Sequence, residues 1–146
     1  MDLEKGFKEV LAKYPEIEIV GEVNSAITKE QGLKNTENFL TANPQLDAVY
    51  SANDELALGA VQAVEAVNRL KTTIVTGYGG TPPGLASIKD GKISATTSLR
   101  PVGWGILAIQ TVQDALDGKK IPYPVNHPTR VVEQKTINEI NPEDLK

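Results

Sequence analysis

Residues 40–60 read LTANPQLDAVYSANDELALGA, and the parsing of this stretch decides the fold. Asn43-Pro44 is a stop, because a proline disfavours helical geometry in the residue before it. Leu46-Asp47-Ala48-Val49-Tyr50-Ser51 is then a short, largely apolar run of strand-forming residues. Asn53-Asp54 follows as a helix cap, since a short polar side chain there can accept from the first free N–H groups of the helix. The helix carries Leu56, Ala57, Ala60, Val61, Val64 and Val67 on its apolar side. Its small residues, Ala57, Gly59, Ala60, Ala63 and Ala66, suit close packing on a sheet. A stop, a buried strand and a capped helix in so short a space make one α/β unit.

The same alternation extends in both directions. Towards the N-terminus, residues 2–13 carry a helical stripe (Leu3, Phe7, Val10, Leu11, with Tyr14 next) that ends at Tyr14-Pro15. Glu16 to Val23 alternates polar with apolar residues and predicts a strand. Thr28-Lys29-Glu30-Gln31 resembles a capping box and opens a helix through Leu40. Towards the C-terminus, residues 72–76 form the next predicted strand, followed by the loop TGYGGTPPG over residues 76–84. Pro82–Lys89 reads as a short helix, Lys92–Ser98 as a strand and Trp104–Leu116 as a helix with Gly118 just past its end. A last strand is expected near Thr129–Gln134, and the tail NEINPEDLK is polar. Ten alternating elements predict right-handed crossovers and a mostly parallel sheet with helices on both faces, a three-layer αβα domain. Sheets of that kind bind ligands at the carboxyl ends of their strands.

Composition narrows the function classes. The 146 residues, 40% hydrophobic and 23% charged, are enough for one globular domain with its own core. A formal charge of −4, with the lysines scattered, leaves no basic surplus for nucleic acid or an anionic membrane. The absence of cysteine removes disulfides, thiolate nucleophiles and cysteine-held metals. No apolar run approaches the ~18 residues that span a bilayer. The start, MDLEKGFKEVLAKYP, has the charges of a surface helix rather than of a signal peptide. It opens into that helix with no N-cap and no preceding strand.

The loop over residues 76–84 raises the sharpest chemical question. Its glycines allow close backbone approach to an anion, which could make a phosphate cradle. They also suit a plain turn or the floor of a site for an uncharged ligand. No Lys follows as in a Walker loop, the dinucleotide glycine spacing is not met, and Pro82 and Pro83 lack N–H groups. His127, the lone histidine, lies between prolines in a predicted surface loop. Asp54-Glu55 at a helix start are paired carboxylates, or equally a cap placed for the helix dipole. No Gly-x-Ser-x-Gly elbow is present. No catalytic residue, metal or cofactor is expected. Trp104 reads as a core or interface residue, and Tyr78, in the loop, as an aromatic that can face a bound ring.

Two stretches carry a family likeness. Residues 40–60 resemble the second lobe of ribose- and galactose-type periplasmic binding proteins. Gly77-Tyr78-Gly79-Gly80-Thr81-Pro82 and Leu85-Ala86-Ser87-Ile88-Lys89-Asp90-Gly91-Lys92-Ile93-Ser94-Ala95-Thr96 continue the likeness in order and spacing. Lactose-repressor-type effector domains share much of the first stretch, so a transcription regulator is the competing class, although no DNA-binding helix pair is present. The resemblance implies two α/β lobes closing on a sugar, without chemistry, and delivery to the permease of an ATP-driven (ABC) importer in the periplasm or at the cell surface. It implies that Asn53 binds the sugar and that Tyr78 lies beside it. Asp54, Gly79 and Arg100 complete the expected ligand-binding set. Gly79 stands where the family has a sugar-binding Asp, Leu99 where it has Gln or Asn, and Ile27 near a stacking aromatic. Each lost buried partner is worth about 1–3 kcal/mol. The ligand is therefore expected to be less polar than a pentose, or bound weakly. Arg100, next to the altered position, reads either as a side chain exposed to solvent or as one that can reach an anionic ligand.

By the same resemblance, residues 1–100 correspond to the second lobe and residues 101–146 to a hinge-crossing segment and tail. The apolar helix of that segment would normally pack on a first lobe. It therefore predicts homodimerisation, rearrangement, or a truncated fragment whose main property is self-association.

Overall fold

A computed structural model describes residues 2–138; the expected polar tail lies, from residue 139 on, outside the described residues. The elements are α1 (Asp2–Leu11), α2 (Lys29–Ala42), β1 (Ala48–Tyr50), α3 (Asp54–Ala66), β2 (Ile74–Gly79), α4 (Pro82–Lys89), β3 (Ala95–Ser98), α5 (Pro101–Leu116) and β4 (Arg130–Glu133). The four strands form one sheet in the order β1-β2-β3-β4. The first three are parallel and β4 is antiparallel to β3. The chain is an α/β domain with a mostly parallel, open sheet, as the alternation predicts.

Burial on the α3 side of the sheet explains the register. Ala57, Ala60, Val61, Ala63 and Val64 of α3 are buried with Val75, Ile88, Ile93 and Val132. α2 adds Leu40 to the core, with Leu33 and Phe39 packed against it, and its first turns lie against α3 backbone to backbone. A Cβ at Gly59 would collide with the carbonyl oxygen of Lys29, and one at Gly32 with the backbone of Leu56. Arg69 closes the base of this layer, its guanidinium donating to the carbonyl oxygens of Pro44 and Leu46. On the opposite face Phe7 of α1 stacks on Tyr50 with ring centroids 4.2 Å apart, while Ile74 and Val131 remain exposed. Val10 and Tyr14 of the α1 stripe are exposed as well.

β1 and β3 begin later than read, at Ala48 and Ala95, and three larger differences from the sequence reading stand out. Residues 16–23 form no strand, and every one of them is exposed. Their alternating pattern pairs with no strand among the described residues; the Ile17 N–H donates to the Tyr14 carbonyl in a turn at 3.0 Å, and an extended segment without a ladder is not a strand. The segment is held from its side chains instead: Lys8 reaches Glu22 at 2.9 Å and Gly21 sits against the ring of Phe39. β2 runs through Gly79, so Tyr78 is a strand residue, paired with Thr97, and not a loop residue. α5 starts at Pro101 rather than Trp104, because proline at the first helical position costs no hydrogen bond.

Candidate functional site

The carboxyl ends of the parallel strands gather the N-termini of α3 and α4, the turn at Gly80 and the end of β3. Asn53 caps α3, its Oδ1 accepting from the Leu56 N–H at 2.9 Å. Its amide Nδ2 makes no hydrogen bond among the described residues. Thr81 caps α4 in the same way, accepting from the Gly84 N–H at 3.3 Å.

Asp54 ties these parts together. Its side chain is 1% exposed, and both carboxylate oxygens are engaged. Oδ2 accepts from the Thr81 backbone N–H at 2.7 Å and from the Thr81 hydroxyl at 3.0 Å. Oδ1 accepts from the Thr96 hydroxyl at 2.6 Å. One carboxylate thus joins α3 to the loop after β2 and to the middle of β3. The glycines around it make room, since a Cβ at Gly77 or Gly84 would run into this carboxylate. Asp54, expected as a ligand contact, is buried with both oxygens engaged and holds the loop after β2 against α3.

The glycine loop gains its shape from neighbours on β3. Gly79 and Gly80 have φ of +131° and +72°, in the region that side chains rarely adopt. A Cβ at Gly80 would lie 2.6 Å from the Cα of Ser98, so the loop crosses the end of β3 in direct contact. The Leu99 N–H donates to the Gly79 carbonyl at 3.0 Å. Beyond it Arg100 adopts φ 52° and ψ 63°, left-handed for a residue with a side chain, and caps α5 without a side-chain hydrogen bond.

The candidate residues are therefore brought to one edge of the sheet, but not to one surface of it. Asn53, Gly79 and Arg100 lie at the ends of α3, β2 and β3. Strand alternation turns Tyr78 to the face opposite Gly77, the face that carries Tyr50. Burial and the neighbouring Tyr78 hold the Tyr50 phenol above its ordinary pKa. Ile27 is 63% exposed just ahead of the Thr28 cap of α2, open to the same end of the domain. His127, expected on a surface loop, is half-buried, 5.3 Å from Trp104 and packed on Gly103. Thr81, Thr96 and Ser98 were not legible as site residues. Thr96 is 42 residues from Asp54 in sequence, and no local pattern signals that contact.

The fold is an α/β lobe that gathers pinned loops and helix N-termini at the carboxyl ends of a parallel sheet. The profile of the periplasmic binding protein domain family matches residues 2–120, and the chain belongs to that family. It is 36% identical over 119 residues to the ribose import binding protein of Bacillus subtilis, covering 82% of this chain and 38% of the relative. Among solved structures it resembles a periplasmic solute-binding protein of an ABC transporter from Actinobacillus succinogenes with bound D-allose. That match has a TM-score of 0.88 and 31% identity over 94% of this chain and 49% of the other. A solute-binding protein from Bacillus halodurans with bound myo-inositol superposes with a TM-score of 0.84 and 29% identity over 98% and 49% of the two chains. The chain spans roughly two fifths to one half of the length of these relatives.

Proposed function

We propose that this chain is the second lobe of a sugar-type solute-binding protein, binding a sugar or similar small polar ligand outside the cytoplasmic membrane for an ABC importer. The reading is of binding without chemistry. The observation that carries it is Asn53: its Oδ1 is spent on the α3 cap while Nδ2 is left to donate at the strand ends. Relatives named for sugar import favour this over the transcription-regulator reading. Residues to about 100 form the lobe, and those beyond form the returning segment.

The test is a thermal-shift panel of pentoses, hexoses and polyols on the wild-type chain and on Asn53→Asp. That variant keeps a cap oxygen and removes the amide donor, so the fold is spared. A ligand that stabilises the wild type should lose most of its shift in the variant. Equal stabilisation of both proteins removes Asn53 from the site, and no stabilisation by any compound overturns the reading.

A second observation favours self-association. No residue of α5 is buried, and Val102, Ile106, Ile109, Val112 and Leu116 are exposed. An apolar surface of that extent is usually covered by a partner, here read as a second copy. Ile109→Glu should convert dimer to monomer in light scattering without altering the fold. A monodisperse wild-type monomer across micromolar concentrations argues against this part of the reading.

A further inference from the structure

We propose that the ligand of this site carries a carboxylate, as a sugar acid does, and that the Arg100 guanidinium receives it. The proposal rests on the sugar-binding reading above and names the chemical class within it. Arg100 is half-buried, and its Nε is closed off from solvent with no hydrogen-bond partner. No ion pair or side-chain hydrogen bond engages its guanidinium among the described residues. A guanidinium N–H withdrawn from water and left without an acceptor is a standing cost. The backbone adds another, because φ 52° is disfavoured for any residue with a Cβ. Two uncompensated costs at one residue, at the carboxyl end of a parallel strand, mark a functional position.

The surroundings select the charge of the ligand. Arg100 follows Leu99, whose N–H is bonded to Gly79, so it leaves β3 beside the glycine loop. That loop, residues 76–84, contains no charged side chain of its own. The buried carboxylate beneath the loop, Asp54, is already engaged by Thr81 N, Thr81 Oγ1 and Thr96 Oγ1 and makes no ion pair with Arg100 among the described residues. A planar guanidinium fork matches a carboxylate with two parallel hydrogen bonds. One unpaired cation balances one negative charge. A doubly charged phosphate would want further donors, and Pro82 and Pro83 withhold theirs at the start of α4.

Calorimetry on this chain with a uronic acid, its methyl ester, the parent neutral hexose and the hexose phosphate tests the proposal. The acid should bind about tenfold more tightly than ester or hexose, as a charge-assisted pair provides, and its advantage should shrink with added salt. Arg100→Gly should abolish that advantage while leaving the melting temperature equal or higher, since glycine accepts φ 52° without strain. Equal binding of acid and ester, an acid preference that survives in Arg100→Gly, or tighter binding of the phosphate overturns the proposal. If neutral sugars bind and the acid does not, the proposal falls and the sugar-binding reading stands. If none of the four binds, the proposal falls, and the thermal-shift panel of pentoses, hexoses and polyols decides the sugar-binding reading separately.

Discussion

Replacing Asp54 with alanine should cost about 2–4 kcal/mol of folding stability, the range for leaving buried neutral donors without their shared acceptor. The structure sets that figure. Three donors converge on the carboxylate, and each hydrogen bond to a charged group is worth roughly 1.5–3 kcal/mol. The three share one partner, so their contributions do not add. In Asp54→Ala the Thr81 N–H and the Thr96 hydroxyl lose their acceptor, and α3 loses an acid from its first turn. Asp54→Asn is the informative partner variant. Its oxygen can still accept from Thr81 N, and its NH2 can donate to a Thr96 hydroxyl that rotates to accept. The asparagine should therefore lose only about 1–2 kcal/mol, the difference between charged and neutral hydrogen bonds. Urea denaturation followed by circular dichroism measures both. A loss below about 1 kcal/mol for Asp54→Ala, or equal losses for the two variants, refutes the argument that this carboxylate pins the loop.

Two further outcomes follow from the packing. Gly59→Ala should force α2 away from α3, because the added methyl meets the backbone of Lys29 and Leu33 and not a side chain that can move. A loss of about 1–3 kcal/mol or more is expected in the same urea assay, and a neutral result would show that the helices separate freely. The raised pKa of Tyr50 makes an alkaline prediction: folded Tyr50 keeps its proton where the unfolded phenol, near 10.0, ionises. Its contribution is thus complete below pH 10.0 and is lost as pH rises through the folded value. Ultraviolet titration of Phe7→Ala, which uncovers the Tyr50 ring, should bring this ionisation earlier; an unchanged curve would exclude the stacking contact as its cause.

The sequence by itself determined the class of the fold and most of its elements. Proline at 44 and the Thr28 and Asn53 caps act within a turn of chain, and the structure forms both caps, although the Gln31 side chain goes to Asn35 and not back to Thr28. The small residues of α3 likewise announced a helix that lies close to its neighbours. Where the outcome depended on a partner distant in sequence, local pattern did not suffice. Residues 16–23 alternate like a strand but meet no ladder. Tyr78 reads as a loop residue until its pairing with Thr97 extends β2. Asp54 looked like a ligand contact or a simple cap, and only the tertiary structure brings Thr81 and Thr96 onto its oxygens, from 27 and 42 residues away. Capping and turn preferences are energies of neighbouring residues, and a sequence displays them directly. Ladders, buried acceptors and the unpartnered Nε of Arg100 are settled by which distant segments share one volume, and folding alone decides that.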